Sequence, residues 1–139
     1  MPAPDLFHST VKVALQKDGW VITHDPLHLK IGTAIEMYID LAAEKIIAAE
    51  REGCKIAVEV KSFTAPSTLS EFHTAVGQFI NYRYALEEVE PDRVLYLAAP
   101  ISIYKKFFQI PFITSIVTRS QIYLLIYNPE VEEIVQWLN

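Results

Sequence analysis

The chain has 139 residues, of which 51% are hydrophobic and 21% charged, and a formal net charge of -5. That length suits a single domain spanning 1–139, and the composition supports a packed core and excludes intrinsic disorder. The acidic balance argues against an autonomous duplex-DNA binder, whose affinity would come from neutralised phosphates, and leaves room only for DNA contact through a local patch or with a partner's help.

From Asp5 to Asp18, Leu6, Val11, Ala14 and Leu15 share one face of a helix, with Asp5 after Pro4 as N-cap and Gly19 as stop. Trp20 to Thr23 reads as a short strand ended by a turn at Asp25-Pro26. A second strand runs from Glu36 to Leu41. Ala42 to Glu52 stays open: its Ala and Glu content favours helix, its position favours a continuing sheet, and Gly53 ends it either way. Ile56 to Phe63 (IAVEVKSF) is the clearest strand. Ala65-Pro66-Ser67 breaks the chain before a long helix from Thr68 to Glu88, where Thr68 and Glu71 have the spacing of a capping box. Pro91 closes that helix, and Val94 to Ala98 forms a fourth strand. Ile101 to Ser120 holds one or two short helices broken at Pro111. Gln121 to Tyr127 is a further strand, and Glu133 to Leu138 pairs with it across the Asn128-Pro129 turn. This order predicts an α/β or α+β fold, a sheet core flanked by helices.

Chemistry concentrates on two of these strands. Residues two apart in a strand point to the same side. Glu59 and Lys61 therefore share one face of the IAVEVKSF strand, opposite Val58 and Val60. Glu36, Tyr38 and Asp40 share a face of the preceding strand. Antiparallel pairing of the two would set Asp40 beside Glu59, so that two carboxylates and one ammonium meet on a short piece of sheet. Two carboxylates suit Mg²⁺ or Mn²⁺, which prefer oxygen ligands, and the Val60 backbone carbonyl can add a third. Lys61 can orient or activate a water that such a cation acidifies. Glu59-Val60-Lys61 is the chain's only acidic-x-lysine triplet, but spacing alone favours a decorated strand edge over a site. Gln78 and Tyr82, four apart on the next helix, can face a phosphate or a base, or can be ordinary surface and core.

The set Asp40, Glu59-Val60-Lys61 and Gln78-x-x-x-Tyr82 resembles the PD-(D/E)xK nuclease superfamily, with the Gln-x-x-x-Tyr helix similar to that of the RecB-like branch. The resemblance implies a restriction-endonuclease-like core with a central mixed β-sheet. It also implies Asp40 and Glu59 as metal ligands, Lys61 as the catalytic lysine, and Gln78 and Tyr82 as DNA-positioning residues. Asp40 follows Ile39 rather than a proline, and the first helix offers His8 or Lys12 where a glutamate would be expected. A match over nearly the whole chain is closer still. Asp5-Leu6-Phe7-His8, Lys17-Asp18-Gly19-Trp20, Thr23-His24-Asp25-Pro26, Ala43-Glu44-Lys45, Ala57 to Phe63, Gly77-Gln78 and Pro91 to Tyr96 look like the XisH family. These are the fdxN-element excision controlling factors of cyanobacteria. That resemblance implies a role in programmed, site-specific DNA excision during heterocyst differentiation. Its implied partners are a small XisI-like protein and an XisF-like recombinase, in an oligomer or hetero-complex.

Other chemistries find less support. His24 and His28 flank Pro26, which breaks a helical zinc pair, and the lone Cys54 supplies no thiolate cluster. His24 is expected to hydrogen-bond within its turn. Ser62 and Ser67 lack His-Asp partners, and no Gly-rich phosphate loop exists among four glycines. The run Glu87, Glu88, Glu90 and Asp92 reads as a solvated helix end. Phe107, Phe108, Ile110, Phe112 and Ile113 read as core, or as an interface where exposed. The single cysteine and the lack of a basic-then-apolar N-terminus predict a cytoplasmic protein. The apolar stretch from Ile110 to Tyr127 is too interrupted to cross a bilayer, so no membrane association is expected. Two readings stand: a metal-dependent DNA endonuclease or nickase, and a non-catalytic protein-binding regulator of a recombinase that keeps the nuclease fold.

Overall fold

A computed structural model describes residues 5–45 and 53–139. Helix α1 (His8–Lys17) buries Val11, Ala14 and Leu15, whose three- and four-residue spacing makes one apolar stripe. Strand β1 (Val21–His24) follows, then a hairpin of β2 (Leu27–Ile31) and β3 (Ile35–Ile39), then β4 (Leu41–Lys45) and β5 (Cys54–Val60). Helix α2 (Thr68–Val89) leads to β6 (Arg93–Pro100). Next come α3 (Ile101–Lys106), a 3₁₀ turn at Phe107–Gln109, α4 (Pro111–Arg119), β7 (Leu124–Asn128) and β8 (Glu133–Leu138).

Six strands form one mixed sheet in the order β1-β4-β5-β6-β7-β8, and β2-β3 stand apart as a two-stranded ribbon. The centre, β5-β6-β7, is parallel, and the outer pairings are antiparallel. Parallel neighbours require crossovers, and α2 and the α3–α4 segment supply them. Alternation along the strands divides the core in two. Ala57, Leu95, Leu97, Leu124 and Ile126 pack toward α2 and the ribbon, with Phe72 and Phe79 among them. Ile56, Val58, Val60, Tyr96, Ala98 and Tyr127 pack toward α1. Strands covered on both faces read as continuous apolar runs, as IAVEV does. Each large side chain fully buried here contributes roughly 1.5–3 kcal/mol.

The mixed sheet flanked by helices is the architecture expected from the sequence. Several local boundaries differ, each for a physical reason. The expected strand from Glu36 to Leu41 is two strands, because the chain leaves the ribbon at Ile39 and enters the main sheet at Leu41. Strand β2 was not expected, although LHLKI alternates apolar and polar residues as a half-buried strand does; it pairs with β3 and not with the main sheet. The open stretch from Ala42 resolves as sheet through Lys45, and 46–52 lie outside the described residues. The IAVEVKSF strand ends at Val60, and Phe63 turns the backbone at φ 56°. The expected strand start at Gln121 moves to Leu124, Gln121 having φ 53°.

The helix caps also differ. Asp5 does not cap α1, whose N-cap is Phe7 without a side-chain bond. Asp5 Oδ1 accepts from Phe7 N at 2.9 Å instead. Ser67, one residue before the expected Thr68, caps α2 by accepting from Ser70 N at 3.1 Å. Of the apolar stretch after α3, Phe108 and Ile113 are core while Ile110 and Phe112 are exposed.

Candidate functional site

The β4–β5 register places Leu41 opposite Val58, so Asp40, one residue before β4, falls opposite Glu59. Asp40 sits at the bend between ribbon and sheet. Its Oδ2 accepts a 2.8 Å bond from Val60 N, and its own N–H approaches Glu59 Oε1 at 3.4 Å. A residue's N–H and C=O leave a strand on the same edge. The Val60 carbonyl therefore lies on the Asp40 edge. Glu59 has the parity of Ala57 and faces α2, with 5% exposure. Lys61 Nζ stands 3.7 Å from Glu59 Oε2.

Burial pushes the Glu59 carboxyl up to about 8, the Asp40 carboxylate adds to the rise, and Lys61 opposes it. A carboxyl held against a second carboxylate in low dielectric keeps its proton unless a cation compensates. The donor set is hard oxygen: two carboxylates and a carbonyl. Among the described residues no three His, Cys, Asp or Glu side chains converge to enclose a metal. The pair thus fits an ion that keeps several waters, as Mg²⁺ does.

Tyr82 of α2 completes one wall. Burial raises its hydroxyl pKa, and the Glu59 and Asp40 carboxylates raise it further, so it stays a neutral donor. Gln78, half-buried on the same helix face, has an Oε1 with no hydrogen-bond partner. Asp40, Glu59, Lys61 and Tyr82 are therefore drawn together, and Gln78 lies one helical turn from Tyr82.

Asp5, Ser62, Glu71 and Tyr127 border the site without having been singled out for it. Asp5 Oδ2 accepts from Ser62 N at 3.0 Å and from Ser62 Oγ at 3.1 Å. Tyr127 Oη donates to the Lys61 carbonyl at 3.0 Å. Burial raises the Glu71 pKa, the Asp5 charge adds to it, and Lys61 opposes it. Glu71 could have been found by extending the Gln78-Tyr82 face back by one heptad. Asp5 and Tyr127 carry no local signal, their partners being 57 and 66 residues away.

His8 and Lys12 supply no ligand: both bind Asp25, at 2.6 and 2.8 Å. Burial opposes ionisation of Asp25, but bonds from Lys12 and His8 hold its carboxyl below the usual range. His24 bonds Thr23 Oγ1 at 3.0 Å, and the His28 ring stacks on that of Tyr38 with centroids 4.6 Å apart. The acidic run after α2 is partly tied down, with Glu90 on Arg93 and Asp92 on Lys55.

A family model described as XisH protein matches residues 1–135. The chain belongs to the XisH family. A solved XisH family protein from Nostoc punctiforme PCC 73102 is 53% identical with a TM-score of 0.87, over 97% of this chain and 100% of that one. A solved fdxN element excision controlling factor protein from Anabaena variabilis is 54% identical with a TM-score of 0.86, over 96% and 98% of the two chains. No curated protein matches the chain. The IAVEVKSF stretch supplies Glu59 near the end of β5 and Lys61 just beyond it. No described helix of this XisH chain is long and apolar enough to cross a membrane.

Proposed function

We propose that this chain controls excision of an fdxN-type DNA element, and that its strand-end site is a Mg²⁺- or Mn²⁺-dependent DNA endonuclease or nickase. The observation that carries the second part is the Glu59 carboxyl, 5% exposed and pressed on Asp40, with the Lys61 ammonium 3.7 Å away. A buried like-charge pair beside a cationic side chain is costly as structure alone, and useful where a divalent cation and a phosphate bind. Asp40, Glu59 and the Val60 carbonyl would hold the ion, which when bound polarises a phosphate and acidifies a water. Lys61 orients that water or offsets charge on the phosphate, and Gln78 and Tyr82 position the strand. The restriction-endonuclease-like sheet order, with the carboxylates at one end of a central strand, supports this reading.

The net charge of -5 favours a second reading, a protein-binding regulator of a recombinase without cleavage. In both readings the chain works in the cytoplasm with an XisI-like small protein, an XisF-like recombinase and DNA, as an oligomer or hetero-complex. The test is incubation of supercoiled plasmid with purified chain, alone and with its partner, with Mn²⁺ or Mg²⁺, beside Lys61→Ala. Nicking that needs metal and falls steeply, to a low but measurable level, in Lys61→Ala is expected. No nicking by either preparation overturns the nuclease reading and leaves the regulator.

A further inference from the structure

Lys61 lies just beyond the end of β5, where a strand would ordinarily fray, yet every peptide group around it is held. Its N–H donates to the Ala98 carbonyl at 3.0 Å. In a parallel ladder the next bond would run from the N–H of residue 100 to the Lys61 carbonyl. Residue 100 is proline and has no N–H to give. Tyr127 Oη fills that place from β7 at 3.0 Å, with its ring fully buried. The next N–H, that of Ser62, is taken by Asp5 Oδ2 at 3.0 Å, and Ser62 Oγ bonds both Asp5 and Thr64 Oγ1. Only then does the backbone turn, at Phe63 with φ 56°, a conformation that needs support from its surroundings in a non-glycine residue.

The two supports are themselves joined. Asp5 Oδ1 accepts from Phe7 N at 2.9 Å, and the Phe7 ring meets the Tyr127 ring edge-on at 6.0 Å. Burial, reinforced by the Asp5 and Glu71 charges, keeps the Tyr127 hydroxyl protonated and therefore a donor. The Lys61 side chain is 16% exposed, so its ammonium has little freedom once its backbone is fixed.

We propose that Asp5 and Tyr127 are positioning residues for Lys61: they hold the two ends of the Lys61–Ser62 peptide group, on the C-terminal side of its Cα, and so aim its ammonium at the Glu59–Asp40 pair. The inference rests on Lys61 acting beside those carboxylates, as proposed above. Displacement by about 1 Å at such a site costs on the order of 100-fold in rate.

The test uses the full chain with Tyr127→Phe, which deletes one hydroxyl, and Asp5→Asn, which deletes one charge. The first readout needs no catalysis. It is the NMR order parameter of the Lys61 side-chain methylenes, assigned with Lys61→Arg, with the exposed Lys30 as internal reference. Lys61 is expected to be ordered in the wild type and to approach Lys30 in both variants. The second readout is Mn²⁺-dependent nicking, expected to fall roughly 10–100-fold in Tyr127→Phe and not to fall further when Tyr127→Phe is added to Lys61→Ala. An unchanged Lys61 order parameter in both variants overturns the proposal, as does a further loss in the Lys61→Ala background. Should the wild type not nick, the nuclease reading fails and the order parameter alone decides this one. Should Tyr127→Phe not fold, Asp5→Asn carries both readouts.

Discussion

Glu59→Gln should remove most of the pH dependence of stability in the metal-free protein. Burial and the Asp40 carboxylate raise the Glu59 pKa from 4.5 to about 8. A carboxyl whose pKa is higher folded than unfolded stabilises the fold fully below its unfolded pKa, here 4.5, and loses that contribution as pH rises through about 8. At about 1.4 kcal/mol per pH unit, the complete loss is on the order of 5 kcal/mol, of which roughly 3 kcal/mol is gone by about pH 7. Against a typical stability of about 5–15 kcal/mol, that is large enough to move an unfolding midpoint plainly. Glutamine keeps the shape and neutral hydrogen bonding of the protonated carboxyl and cannot ionise. Urea unfolding followed by circular dichroism, with a chelator present, should show the wild-type midpoint falling between about pH 5 and about pH 9. The Glu59→Gln midpoint should move much less, leaving the variant the more stable protein at the upper end. Parallel curves for the two proteins would refute the view that the Glu59 carboxyl is held protonated against Asp40.

Three further outcomes are expected. Mn²⁺ should stabilise the wild type at about pH 8, while Asp40→Asn should weaken Mn²⁺ binding by about ten-fold or more in calorimetry, because in the proposed site the Asp40–Glu59 pair would anchor the ion. Ser67→Ala should cost about 1 kcal/mol in chemical denaturation and Thr68→Ala much less, since Ser67 accepts the bond from Ser70 N. Phe79→Ala, at a position 1% exposed, should cost about 3–5 kcal/mol, whereas Leu69→Ala, at one 46% exposed, should stay within about 0.5 kcal/mol.

Much of the site could be read without coordinates because its chemistry is local. Glu59 and Lys61 share a face by the two-residue period of a strand, and Gln78 and Tyr82 share one by the helical period. An acidic residue inside an otherwise apolar strand, with a lysine just past its end, is conspicuous for the same reason. The cap of α2 was misplaced by one residue because Ser67 and Thr68 are equally good cap types, and only the backbone dihedrals of Ser67 select between them. Of the hairpin only β3 was expected; β2 was missed, and that it pairs with β3 beneath α2 is a decision made in three dimensions.

The sequence by itself determined the run of elements apart from β2 and the break between β3 and β4, the stretch that carries the acidic-x-lysine triplet and the acidic residue that would join it. Periodicity and composition encode these directly. Tertiary structure alone decided that Asp40 stands at a bend opposite Glu59, because that follows from the register between β4 and β5. It alone brought Asp5 and Tyr127 to the Lys61–Ser62 peptide group, across 57 and 66 residues. Such contacts exist only once the sheet has assembled: the bond missing at Pro100 becomes a need, and Tyr127 its answer, only when β6 and β7 lie side by side.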